Sequence, residues 1–309
     1  MKSRRINALA AVTLVVSLGM SVVVLRSLDN LRADATVEEV LYIPSAKVLK
    51  RASLGYDGLL ADIYWTRVVQ YFGNLHHQRS TRYDLLYPLL DITTTLDPNL
   101  TPAYQFGAIF LTQGGTEGAG QSEKAIQIVN RGIAANPHEW RLYYNLGFIY
   151  YDMNDYVRAS RAFGAGAQIP GANPYLNVLQ ASMLERGASP ETARLLWQQI
   201  YETTEDKSIR AGALVHLIAL QIDQDVPALA KLAAAYREQM GHAPTSFREM
   251  VAAGWLKGFP VDPTGDTYQL LSDGRVEIVA PERKPLVRYG LPGGPQGPEE
   301  LQAPETAAQ

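Results

Sequence analysis

Side chains that could run a reaction are sparse in this chain and poorly spaced for it. His76 and His77 are adjacent, and His138, His216 and His242 are scattered. Neighbouring histidines on a helix point about 100° apart, so they do not share one ion. No carboxylate or third histidine follows at metal spacing, so no metal site is expected. The chain has no cysteine, which removes disulfides, thiol catalysis and Cys-ligated zinc or iron–sulfur sites. The patterns G-x-S-x-G, H-E-x-x-H and G-x-x-x-x-G-K-[ST] do not occur. Gly114 to Gly120 is glycine-rich but lacks the Lys and the preceding strand of a phosphate loop. A net charge of −3 gives no basis for nucleic-acid binding, which needs a basic face. The expectation is a protein without cofactor and without catalysis.

Recognition chemistry is richer. Tyr143, Tyr144, Phe148, Tyr150, Tyr151 and Tyr156 crowd one short segment. At 100° per residue Tyr143, Leu146, Gly147 and Tyr150 share a face, which reads as core. Tyr144, Phe148 and Tyr151 share another, with Arg141 and Asn145 beside them. Rigid amphipathic tyrosines give contact area at low entropy cost, which suits a peptide-binding surface. The other reading of that face is packing against a neighbouring helical hairpin.

The elements that would position these residues repeat. Gly147, Tyr150, Ala159 and Phe163 recur 34 residues later as Ala181, Leu184, Ala193 and Trp197. Ala125 and Val129 precede Ala159 and Phe163 by the same 34. Gly107 precedes Gly147 by 40, because Thr112 to Ser122 holds extra residues. That loop reads as a surface insertion or as a lid that touches a partner. The spacing predicts helical hairpins with Gly107, Gly147 and Ala181 at close approaches. Ala159 and Ala193 are the small knobs, with Phe163 and Trp197 the large ones. A degenerate first hairpin is expected before Asp97-Pro98, and a divergent capping pair at Lys207 to Gln221 and Val226 to Met240.

Tyr143, Leu146, Gly147, Tyr150, Ala159 and Phe163 match W-x2-L-G-x2-Y followed by A-x3-F, with Tyr143 in the Trp position. Residues 98–200 therefore resemble the tetratricopeptide family. The resemblance implies a right-handed solenoid whose first helices line a groove for an extended peptide or helix of a partner. Some members grip C-terminal carboxylates with Lys, Arg and Asn on those helices. Asn145 matches one such position. Tyr144, Tyr104 and Val178 stand where a basic residue is needed, which argues against this mode.

The two ends differ from the repeats. Ile6 to Leu25 is an uncharged run long enough, at about 1.5 Å per residue, to span a bilayer. Lys2, Arg4 and Arg5 precede it, which keeps the N-terminus cytoplasmic. An uncleaved signal anchor is the first reading; a cleaved signal peptide is the second. At the other end, Gly241 to Leu270 resembles the tail of type II secretion pseudopilins. Asp262, Pro263, Gly265 and Tyr268 match the D-P-W-G-x-x-Y loop, and Thr264 replaces the tryptophan. No prepilin peptidase site precedes the apolar run. Asp262, Asp266 and Asp273 read as turn residues. Ser272-Asp273-Gly274 predicts a hairpin turn. Pro, Gly and Glu dominate the chain from Leu291, which predicts a tail without structure.

The sum is an all-α chain: a tetratricopeptide-type solenoid behind one transmembrane helix, with a small helix plus β-hairpin module. The expected divisions are 1–5 cytoplasmic, 6–25 anchor, 26–55 stalk and lead-in, 56–240 solenoid, 241–280 module and 281–309 tail. The expected function is a membrane-anchored, non-catalytic adaptor of the bacterial cell envelope, with its solenoid in the periplasm. It binds a protein partner through Arg141, Tyr144, Asn145, Phe148 and Tyr151, and a secretion or pilus-type assembly is the first guess. The alternative is a structural assembly factor that bridges membrane proteins without a peptide groove, and a remote one is an enzyme with an unrecognised site.

Overall fold

The computed structural model describes residues 45–301 apart from Ala188, together with several positions between Thr13 and Val23. Most of the expected anchor, 6–25, and the stalk up to residue 44 lie outside the described residues. Among the described residues no helix is long and apolar enough to cross a membrane.

The described chain is mostly helical. A short helix α1 (Ala46–Ala52) leads into α2 (Asp57–His77) and α3 (Leu86–Leu96). The following pairs are α4 (Thr101–Thr112) with α5 (Ser122–Ala135), α6 (Trp140–Asp152) with α7 (Tyr156–Ala167), and α8 (Tyr175–Gly187) with α9 (Pro190–Thr203). The helices of each pair pack on each other, and α4 also lies beside α6. Each boundary has a local cause. Asp155 caps α7 by accepting from Arg158 N at 2.8 Å, and Asn154 turns the chain at φ +58°. Pro190 opens α9 at a position where no N–H is needed. The Ser189 hydroxyl does not cap that helix; it bonds the Thr192 hydroxyl at 2.5 Å.

Small residues set the packing. A Cβ on Gly147 would come within 2.6 Å of Phe163 Cδ1 on the partner helix. One on Gly107 would come within 2.7 Å of Leu90 Cδ2, which belongs to the preceding pair. Ala159, Ala181 and Ala193 are fully buried, and Phe163 and Trp197 nearly so. Tyr143 and Tyr150 are only half-buried. Leu142 and Ile149, on the flank of α6 that meets the preceding pairs, are the buried residues beside Leu146.

The loop between α4 and α5 reaches the preceding pair, at the connection from α2 to α3. Thr116 O accepts from Tyr83 Oη at 3.0 Å and faces His76 Nδ1 at 3.1 Å. Gly115 and Gly120 supply the positive φ angles its turns require.

Two expectations fail at the C-terminal end. The capping pair is one continuous helix, α10 (Lys207–Met240), with Pro227 inside it. Ile222 and Val226 are fully buried where the break was expected. Pro227 leaves one helix carbonyl without its usual N–H partner, but packing on both sides keeps the helix whole. The first half of α10 covers α9, and its second half is the backbone of the C-terminal module.

That module contains α11 (Phe247–Ala252) and a two-stranded antiparallel sheet of β1 (Gln269–Leu270) and β2 (Val276–Glu277), with Leu270 opposite Val276. Gly274 turns the hairpin at φ +91°. The second failed expectation is the tail. Residues 281–301 pack onto the module and end in α12 (Pro298–Leu301). Gln296 is buried, and its Oε1 accepts from Val276 N at 2.7 Å. Proline and glycine set turns in this segment instead of freeing it, because Val287, Tyr289 and Leu291 reach the apolar cluster under α10. Residues 302–309 lie outside the described residues.

Candidate functional site

The first helices of three successive pairs, α4, α6 and α8, line a continuous hollow. Gln105, Phe106 and Ile109 come from α4, and Trp140, Arg141, Tyr144 and Asn145 from α6. Asn173, Tyr175 and Leu176 come from the start of α8. The hollow encloses about 340 Å³. A second hollow of about 260 Å³ adjoins it, sharing Ile109, Tyr144 and Asn145 and adding Thr112, Gln113, Phe148 and Asp152. Helical spacing explains the lining, since 105, 109 and 112 share one face of α4, and 141, 144, 145 and 148 share one of α6.

The floor is apolar and open to solvent. Phe106 is 50% exposed, Tyr175 49% and Tyr144 37%. Large side chains left this exposed along one groove are the usual sign of a surface built for a partner. They are also held in place. Tyr144 lies against Phe148 with ring centroids 4.7 Å apart and edge-on to Trp140 at 6.3 Å. Asn145 Nδ2 donates to Gln105 O at 3.0 Å and ties α6 to α4. The rim carries polar groups. Arg141 lies over the Trp140 ring at 4.6 Å and pairs with Glu139 at 3.1 Å. Burial pushes the Asp152 carboxyl, at the far end, above its ordinary value.

Four of the expected groove residues, Arg141, Tyr144, Asn145 and Phe148, line these hollows. Phe148 lies deeper than expected, packed edge-on against Phe163 at 5.3 Å. Tyr151 does not line them. It packs against Phe148 and Tyr156 with the Arg186 guanidinium over its ring, because α8 approaches that side of α6. Tyr104, read as a groove position, is fully buried and donates to Thr94 O at 3.3 Å. Burial pushes its hydroxyl up to about 12.

Sequence reasoning missed Gln105, Phe106, Ile109, Asn173 and Tyr175. A signal was available for two of them. Gln105 precedes Asn145 by the 40-residue spacing, and Tyr175 follows Arg141 by the 34-residue spacing. Carrying the groove positions along the repeat finds both.

The residues of the Asp-Pro loop meet a different neighbour. Lys284 is fully buried, and its ammonium reaches Asp262 Oδ2 at 2.6 Å, Asp266 Oδ2 at 2.9 Å and Val279 O at 2.6 Å. Asp262 Oδ1 accepts from Thr264 N at 2.8 Å and Asp266 N at 3.1 Å. Burial raises the Asp262 carboxyl, but Lys284 and Thr264 outweigh it and hold it below its ordinary value. Burial lowers the Lys284 ammonium, but the two carboxylates outweigh it and hold it above its ordinary value. Gly265 makes the turn at φ +91° behind Pro263. Tyr268 donates to Asp225 Oδ2 at 2.9 Å and anchors the loop to α10. These acids are internal ties.

Compared with known proteins, the chain matches no family model and no curated protein.

Proposed function

We propose that this chain is a membrane-anchored, non-catalytic adaptor of tetratricopeptide type. Its helical pairs hold a peptide or a helix of a protein partner in the groove of α4, α6 and α8. The observation that carries this reading is the row Phe106, Ile109, Tyr144 and Tyr175, all exposed on consecutive first helices and all lining the first hollow, with Ile109 and Tyr144 shared with the second. The rim amides of Gln105, Asn145 and Asn173 offer donors and acceptors to a peptide backbone. The apolar run at 6–25 supports an anchor, with the basic N-terminus in the cytoplasm and the helical pairs in the periplasm. The pseudopilin-like loop directs the search for the partner to secretion or pilus-type assemblies of the envelope.

The test is capture of the partner from detergent-solubilised envelopes by the full chain and by a variant carrying Phe106→Asp, Ile109→Asp and Tyr144→Asp. The variant is expected to stay folded and to lose the partner. Retained capture by the variant, with loss on removing 241–301, would favour the bridging assembly factor instead.

A further inference from the structure

We propose that the turn joining α1 to α2 is a second membrane contact, a patch that lies on an anionic phospholipid surface next to the anchor. The proposal rests on the anchored reading of residues 6–25.

The patch is unusual in its geometry. Leu54 is 86% exposed and sits at φ +52°, a conformation that costs a leucine energy and turns its side chain outward. Gly55 follows at φ +93° and completes the turn. Tyr56, 69% exposed, and Leu59, 59% exposed, continue the same apolar strip along the start of α2 at a spacing of three. Val48 on α1 is exposed as well. A left-handed residue after Ser53 ends α1 in the usual way, but glycine fills that position at least cost, so the turn itself does not call for a leucine pointed at water. Strain and apolar exposure at one site point to a contact made outside the chain.

The charge identifies the occupant. Across the patch, residues 45–59, the chain has three basic residues, Lys47, Lys50 and Arg51, against one acid, Asp57, whose carboxylate accepts from the Ser53 hydroxyl. Lys50 is engaged with Thr95 O at 2.9 Å, while Lys47 and Arg51 are exposed. Leucine and tyrosine beside exposed cations match a bilayer interface, where the ring and apolar side chains sit at headgroup depth and the cations meet lipid phosphates. Reach is compatible. Residues 26–44 join the apolar run to the patch and span at most roughly 65 Å when extended. A tether that short keeps the local lipid concentration high, so a patch too weak to bind alone becomes occupied. The consequence is an adaptor whose first pair, α2 with α3, lies at the membrane, with the groove beginning at α4.

The absence of native cysteine allows a direct test on the full chain. Leu54→Cys and, as a control, Leu195→Cys, 72% exposed on α9, are each labelled with an environment-sensitive fluorophore. Each protein is reconstituted into vesicles of phosphatidylethanolamine with phosphatidylglycerol, and separately into phosphatidylcholine. The Leu54 label is expected to shift to the blue and to be quenched by headgroup-nitroxide lipid in the anionic vesicles, and the Leu195 label is not. Adding Lys47→Gln or Arg51→Gln should each weaken docking about five-fold, and neutral vesicles, which remove the attraction of both, should weaken it about thirty-fold. The proposal is overturned if the chain floats with the vesicles while both labels stay equally open to aqueous iodide. It is also overturned if protection of the Leu54 label follows protein density instead of lipid charge, which would assign the patch to a second copy. A chain that does not float at all overturns the anchor together with the patch.

Discussion

From α2 to α9 the contacts that hold the chain together set small residues against large ones: Gly147 under Phe163, Gly107 under Leu90, Ala159 and Ala193 fully buried. Beyond Ile222 an apolar cluster under α10 is joined by ties of buried charge and hydrogen bonds. Asp223 on α10 accepts from Arg288 N at 2.7 Å, Tyr289 N at 3.1 Å and Arg288 Nε at 2.8 Å, and Lys284 is enclosed by two carboxylates. The two regions meet on α10, where Glu185 of α8 accepts from Trp197 Nε1 at 3.1 Å and faces His216 Nδ1 at 2.8 Å. The difference has a geometric origin. Stacked pairs offer each other long apolar faces. The module is rich in turns, so more of its backbone groups need partners outside helices and strands, and side chains such as Asp223 and Gln296 supply them.

The comparison breaks most sharply at Lys284. Lys284→Ala leaves the buried Asp262 carboxylate without its cation, while the partly exposed Asp266 keeps Arg283, and should cost about 3 kcal/mol. Calorimetry should show the module melting early while the transition of the helical pairs stays in place. In the helical pairs the matching lesion is steric. Ala159→Leu should cost roughly 1–3 kcal/mol by overpacking, read as a lowered midpoint in denaturant with helical signal lost in the same transition.

Acid separates the two regions next. The Asp262 carboxyl is held below its ordinary value, so its contribution is present above about pH 4 and is lost as pH falls through the folded value. Lys284 is held above its ordinary value, so its contribution persists until pH rises past about 10. The module should therefore be most stable between these limits. Asp262→Asn should flatten the acid limb followed by near-ultraviolet circular dichroism; in α6 and α7 the Asp155 cap also titrates there, but the apolar packing beneath it carries no charge. The smallest effect on stability is expected in the groove. Phe106→Ser or Tyr144→Ser should cost about 1 kcal/mol, because each side chain is already partly exposed and loses only part of a buried aromatic's contribution. Thermal melting of the purified variants checks this.

What the sequence made legible follows the same divide. A period of 34 residues reports which side chains face a neighbouring helix, because every pair solves the same packing problem. It marks Gly147, Ala159, Phe163, Ala181, Ala193 and Trp197, and these are packed between helices. It misassigned Tyr151, whose face meets α8, and Tyr104, which packs inward although its counterpart Tyr144 lines the groove. The α10 helix departs from the expected capping pair because continuing the repeat suggests a hairpin; burial of Ile222 and Val226 at the expected break keeps one helix. The 281–301 segment was read as unstructured from its composition. Its order comes from single long-range ties, Gln296 to Val276 and Arg288 to Asp223, which leave no periodic trace. Lys284 is the plainest case, since nothing in a lone lysine near Pro285 announces that it closes around Asp262 and Asp266.

The groove is the centre of the account, and site-specific photocrosslinking in intact cells tests it most directly. A photoreactive residue at Ile109, on the groove floor, is compared with one at Leu195, on α9 and outside the groove. The account predicts a discrete protein adduct from position 109 that disappears in the Phe106→Asp, Tyr144→Asp background, and no such adduct from position 195. Adducts of the same protein from both positions, unaffected by the groove substitutions, would contradict it.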